Sequence, residues 1–222
     1  MHIAEIISII EQMAPLQGAA SWDVSGLQVA AHRTDATRLA VCLDPSPASV
    51  SAALELGAQC ILSHHPLALK PSLPNRIDHY HEVLRLLLTN DVPLYAAHTS
   101  LDVNSDGPVS WLARELHLDN LVVLEPTGPG TGDLPHGFGL AGDLAEPVDL
   151  RQLAGMLAAH IDLSTATVSG PCPESIRRVA YCTGLPKIRF ASDTVVSLML
   201  PPFRQVDLIS RWAVLSRKKI RP

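Results

Sequence analysis

Aromatic side chains are scarce in this chain and positive charge is not in excess. Three Trp, three Tyr and three Phe make up 4% of the 222 residues, and 17 Lys and Arg stand against 22 Asp and Glu for a formal net charge of -5. Without a basic stripe interleaved with aromatic residues, nucleic acid is disfavoured as a partner. No run of about 18 uncharged apolar residues occurs, which argues against a membrane span. The first residues lack a basic stretch followed by an apolar one, so export is not indicated and the cytoplasm is the expected compartment. Cysteine is sparse as well. Cys42, Cys60, Cys172 and Cys182 form no C-x-x-C pair, which argues against a disulfide framework and against a thiolate zinc site, and leaves them as small core residues. What remains is an ordinary globular composition, 47% hydrophobic and 18% charged, long enough for one or two domains with a sizeable core.

Apolar periodicity supplies the elements. Ile3, Ile6, Ile7, Ile10 and Met13 fall at helical spacing and predict a helix that stops before Pro15. Residues 38–44 read as a strand, 46–58 as a helix with Ser46 as its N-cap and Pro47 at its first position, 59–65 as a strand, 78–90 as a helix, 92–102 as a strand and 108–118 as a helix. Strands alternating with helices of this length predict crossover units on a parallel sheet. Further on, "GFGLAGDL", "EPVDLRQLAGMLAAHI" and "IRRVAYCTG" read as strand, helix and strand, with Pro147 and Asp149 opening the helix. The expected fold is therefore α/β, a parallel-rich sheet with flanking helices in two similar lobes, the second incomplete. Residues 1–125 form the first lobe, 126–136 a Gly/Pro-rich connector, 137–184 part of the second lobe and 185–222 an atypical basic tail. The stretch "PTGPGTGDLPHG" lacks the lysine and the strand-to-helix setting of a phosphate-binding loop and reads as flexible.

Parallel strands end along one edge, where ligands bind in open α/β folds. On this reading Asp44 ends the first strand, His64 and His65 the second, and His98 with Asp102 the third. Imidazole with carboxylate and no thiolate suits zinc, iron, manganese or nickel in a site with chemical work to do. Neighbouring residues of an extended chain point to opposite sides, so adjacent histidines are awkward for one ion and natural for two, and Asp102 has two oxygens with which to bridge them. The competing reading of "SHHP" is a polar turn. Asp23 reads as a turn or cap residue or a substrate contact, Asp44 as a helix cap or a substrate contact, His79 and His81 as surface polar residues, and Trp22 and Trp111 as core or interface anchors.

Four stretches, "WDVSGLQV" (22–29), "ILSHHPL" (61–67), "AAHTSLD" (96–102) and "GFGLAGDLAEPVDLRQLAGMLAAHI" (137–161), resemble in order and spacing the NGG-interacting-factor-like family. Its bacterial members are labelled GTP cyclohydrolase 1 type 2 homologues. The resemblance covers residues 1–184 and implies an α/β fold, a ring-shaped homohexamer and two divalent metals at each site. It implies His64 on one metal, His65 on the other and Asp102 completing the first, with His98 close by as a catalytic or substrate-orienting group and Asp23 near the site. The family stretch resembling "WDNVGLQ" is "WDVSGLQ" here, with the Asn lost, and the Asn usual in "HTNLD" is Ser100. These changes leave the ligands alone.

Beyond residue 184 the resemblance implies a segment whose His and Glu complete and bridge the metals, and neither is present. Residues 1–184 carry nine Lys and Arg against twenty Asp and Glu, whereas 185–222 carry eight against two and contain no Gly, His or Glu. A shifted reading frame is one account of this change, and a natural variant whose tail packs as a strand and a helix is the other. Either way two metals per subunit in the family become fewer or weaker ones here. Two function classes follow. One is a metal-dependent hydrolase of a nucleotide-like or phosphorylated small molecule, with Asp23 and Asp44 toward substrate. The other is a non-catalytic metal-binding or scaffold protein that forms a ring.

Overall fold

The isoleucine stripe of the first residues folds as α1 (Ile3–Met13), with Ile3 and Ile10 buried and Pro15 just past its end. The computed structural model describes residues 1–130, 132–164, 166–168, 173–182 and 195–199, the last five and Pro108 by their backbone alone. Cys172 and most of the 185–222 tail lie outside the described residues. By internal contacts the chain divides into two compact units, the first comprising Met1–Leu101 and the second beginning at Asp102.

In the first unit β1 (Gly26–Val29) and β2 (Leu39–Cys42) precede α2 (Pro47–Glu55), β3 (Cys60–Ser63), α3 (His79–Asn90) and β4 (Leu94–Ala96). The sheet order is β1-β4-β3-β2, with β2, β3 and β4 parallel and β1 antiparallel at the edge. Helix α2 starts as expected, with Pro47 at its first position and the Ser46 hydroxyl accepting the Ser49 N–H at 3.1 Å. Asp78 caps α3 in the same way through the His81 N–H. All four residues of β3 are buried, because both faces of the sheet are covered. Ile61 packs with Val50, Val83, Leu87 and Leu94 on the side of α2 and α3, while Leu62 and Tyr95 pack with Ile10 and Ala14 on the side of α1.

Two differences from the expected elements bear on the site. Strand β1 has no counterpart in the periodicity, since four residues opening on Gly26 at φ 114° give too short an alternation to read. The strand expected over 92–102 ends at Ala96, and a short helix α4 (Thr99–Asp102) follows. The cause is local. Asp23 accepts both the N–H and the hydroxyl of Thr99, at 3.0 and 2.5 Å, and Leu101 N–H bonds to the His98 carbonyl, so the chain turns instead of continuing extended.

The second unit holds α5 (Pro108–Glu115), β5 (Asp119–Gly128), β6 (His136–Val148), α6 (Leu150–Ala158), β7 (Ile176–Cys182) and β8 (Val195–Met199) in a sheet of order β5-β6-β7-β8. Its pairs are antiparallel except β7 with β8. The stretch expected as a connector between lobes is the turn of the β5–β6 hairpin, closing at Gly128 opposite His136, and so lies inside this unit. A short connection of this kind joins antiparallel strands. Asp149 caps α6 through the Gln152 N–H at 2.8 Å while the Gln152 side chain accepts the Asp149 N–H. Leu140, Leu153, Leu157, Ile176, Val179 and Tyr181 form its core with Val109 and Leu112. Among the described residues no helix is long and apolar enough to cross a membrane.

Candidate metal centre

The backbone sets the two adjacent histidines. Past the end of β3, His64 N–H bonds to the Cys42 carbonyl at 3.1 Å and His65 N–H to the Leu43 carbonyl at 2.9 Å, so the ladder to β2 carries on through a bend. Because residues 64 and 65 lie in that bend and not in the pleat, the alternation expected to part their rings does not operate. The ring centroids stand 4.9 Å apart, and His98, entering from the loop after β4, brings its own to 5.4 Å from His64 and 5.7 Å from His65. One ligand nitrogen from each ring lies within 4.8 Å of the others. Three imidazoles thus stand close enough together to hold a metal ion.

Each ring is tethered through Nδ1. His64, 4% exposed, has its Nδ1 3.0 Å from the Ala97 carbonyl oxygen. A carbonyl only accepts, so this nitrogen carries the proton and Nε2 is the electron-pair atom. Burial, reinforced by His65 and His98 alongside, pushes the His64 imidazole down to about 3, so it is neutral throughout the physiological range. His65 Nδ1 lies 2.6 Å from Asp44 Oδ1, in an open setting with side chains 41% and 62% exposed. His98 Nδ1 lies 2.8 Å from Asp23 Oδ1, with side-chain exposures of 15% and 0%. Desolvation alone would raise the Asp23 carboxyl, but hydrogen bonds from His98, Ser25 and Thr99 outweigh it and hold the group well below the usual carboxylate range.

The donor set fits a borderline divalent ion: imidazole nitrogens, no thiolate, and acceptors behind the rings that fix their orientation, as is usual for metal-bound histidine. Asp102, placed by sequence among the ligands, ends α4 with 8% exposure and belongs by its contacts to the second unit. There the Cys182 thiol is pushed up to about 12 by burial first and by the charges of Asp102 and Glu125 next. The Asp23 carboxylate is fully enclosed and touches His98, whereas the Asp44 side chain, 62% exposed, meets His65 through Oδ1. Trp22, expected in a core or interface, is 59% exposed with its ring edge-on to His98 at 6.0 Å. Sequence reasoning missed Ser25 and Thr99, whose hydroxyls both reach Asp23; their only signal is a place inside "DVSG" and "HTSLD", where short polar residues read as turn formers.

The first unit is thus that of an α/β protein whose parallel strand ends bring together histidines that could hold a metal ion. The chain belongs to the Duf34/NIF3 (NGG1p interacting factor 3) family, whose pattern matches residues 1–191. It is 29% identical over 186 residues to a Streptomyces coelicolor protein named GTP cyclohydrolase 1 type 2 homolog, covering 82% of this chain and 65% of that one. It is 30% identical over 187 residues to NIF3-like protein 1 of Drosophila melanogaster, covering 82% and 63%. The match thus spans just under two thirds of either curated relative. Among solved structures, reduced HcgD from Methanocaldococcus jannaschii aligns with a TM-score of 0.69 at 26% identity, over 83% of this chain and 70% of that one.

Proposed function

We propose that this chain is a divalent-metal-dependent hydrolase of a nucleotide-like or phosphorylated small molecule. The observation that carries the reading is the convergence of His64, His65 and His98 with a ligand nitrogen from each within 4.8 Å. Likeness to proteins named GTP cyclohydrolase 1 type 2 homolog supports the substrate class. In this reading His64, His65 and Asp102 are the metal ligands, and His98, one nitrogen of which lies within 4.8 Å of those of His64 and His65, adds to the hold on the ion as well as orienting the substrate or carrying a proton at Nε2. Asp44 meets the substrate at the open rim. A zinc, iron, manganese or nickel ion held there would supply Lewis-acid polarisation of the scissile centre and a readily deprotonated water. His64, neutral and 4% exposed, contributes an electron pair without first losing a proton. A ring-shaped homohexamer and a dinuclear centre, the latter with fewer or weaker ions here for want of the C-terminal His and Glu, belong to the same proposal and rest on the family resemblance, and a cytoplasmic location belongs to it on the sequence pattern.

The test is turnover of GTP and of simple phosphoesters by the purified chain reconstituted with each of the four metals. Hydrolysis that His64→Ala abolishes, with the fold intact by circular dichroism, is the expected result. Stoichiometric metal uptake without turnover on any of these substrates would instead favour the non-catalytic metal-binding reading.

A further inference from the structure

The surroundings of Asp23 are more elaborate than a turn requires. Its Oδ1 accepts the Val24 N–H at 2.7 Å and lies 2.8 Å from His98 Nδ1. Its Oδ2 accepts the Ser25 hydroxyl at 2.5 Å, the Thr99 N–H at 3.0 Å and the Thr99 hydroxyl at 2.5 Å. Both hydroxyls are directed. That of Ser25 accepts the His98 N–H at 3.2 Å and that of Thr99 accepts the Ala20 N–H at 3.0 Å, so each hydroxyl proton is aimed at the carboxylate. A carboxylate held by donors on both oxygens and wholly enclosed can neither rotate nor shed a partner cheaply.

We propose that Asp23 is a positioning residue that holds His98 as the Nδ1–H tautomer, so that Nε2 is the atom His98 offers at the histidine cluster. An ionised carboxylate only accepts, so the hydrogen between the two groups rides on Nδ1. The hydrogen bond from the His98 backbone to Ser25 fixes the main chain while Asp23 fixes the ring, and the ring therefore meets the cluster in a preset orientation. Asp44 stands behind His65 in the same relation, but in the open, where solvent screens the pair and lets both side chains move. Asp23 should accordingly matter much more than Asp44. This role rests on the cluster being a metal site, yet the tautomer itself exists without the metal.

The experiment uses the full chain, metal-free and 15N-labelled, and reads histidine ring nitrogens by long-range proton–nitrogen correlation. For His98 the expected pattern is one tautomer, with Nδ1 at a protonated-type shift and Nε2 at a pyridine-type shift. In Asp23→Asn the pattern should move toward the Nε2–H form or an averaged mixture, and zinc affinity measured against a competing chelator should fall by about 10- to 100-fold, with a smaller loss for Asp44→Asn. An Nε2–H or averaged His98 in the unsubstituted chain overturns the proposal, as does a tautomer unaffected by Asp23→Asn. Should Asp23→Asn not fold, the unsubstituted spectrum decides alone. A locked tautomer in a chain that binds no zinc would sink the metal reading of the preceding section and leave the Asp23 role standing.

Discussion

Cys60 opens β3 with 1% of its surface exposed, and burial pushes its thiol up to about 11 from an ordinary 9.0. The shift is a statement about stability. The folded chain keeps the proton that the unfolded chain gives up, so the contribution is complete below pH 9.0 and is lost as pH rises toward about 11. At about 1.4 kcal/mol per pH unit this amounts to as much as about 3 kcal/mol. Cys60→Ala should therefore lose stability less steeply than the unsubstituted chain in urea titrations between about pH 9 and pH 11, and native Cys60 should react with a thiol reagent only as fast as the fold opens. Parallel slopes, or rapid labelling of the native protein, would contradict the buried neutral thiol. At this scale the sequence is legible where chemistry is written in neighbours. The adjacent histidines before Pro66 alone fit a metal site or a polar turn, and His98 and Asp102 at the next strand end tip the reading toward metal. Asp23 is different, since its partner His98 lies 75 residues away and a lone Asp before a Gly looks like any turn residue. Asp102 is legible as a carboxylate at the same strand end as His98, and its ligand role remains part of the functional proposal.

At the level of elements, apolar spacing and caps told most of the story, and the failures came where a long-range hydrogen bond overrode local preference. Helix α1 is legible from its isoleucine stripe, α2 from its Ser46 cap and Pro47, and α6 from both stripe and cap. The strand drawn over 92–102 failed because nothing near Thr99 announces that Asp23 will capture its N–H. The stretch over 126–136 reads as a connector because Gly and Pro serve a hairpin connection as readily as a linker. Tyr181 of β7 shows how such long-range bonds hold elements in place. Its hydroxyl donates to the Val109 carbonyl and accepts the Ala113 N–H at 2.9 Å, inserting itself into the bond those two residues of α5 would otherwise form with each other. The ring is fully buried in the core of the second unit. Tyr181→Phe keeps the packing and removes both bonds, so it should cost about 1–2 kcal/mol in chemical denaturation. A cost below about 0.5 kcal/mol would mean that α5 closes the Val109–Ala113 bond itself once the hydroxyl is gone, since a typical hydrogen bond contributes about 1 kcal/mol.

For the whole molecule the decisive quantity is how strongly metal binding is linked to folding. Three imidazoles gathered from two separate loops exist as a site only in the folded chain, so an ion held by them stabilises the native state by mass action. With free zinc at about a hundred times the dissociation constant, the gain is about 2.7 kcal/mol, which for a chain of this size corresponds to a rise in melting temperature of roughly 5–10 °C. The direction of the pH effect follows from what binds. Imidazole holds a metal only when neutral, and His64, pushed down to about 3 by burial, stays neutral well into acid, so its own hold on zinc should persist to mildly acidic pH. Calorimetry of the metal-free chain with and without zinc, with a chelator to reverse the shift, reads this directly. His65→Ala should remove most of the rise while leaving the metal-free melting temperature within a few degrees, because its side chain, 41% exposed, adds little to the fold beyond its own contacts. His98→Ala should remove the rise as well but lower the metal-free melting temperature, since it strips a partner from the enclosed Asp23 carboxylate. A zinc shift that persists in both variants would place the ion elsewhere on the protein. No shift at any zinc concentration would mean that the convergence of His64, His65 and His98 is a structural packing of imidazoles and not a metal centre.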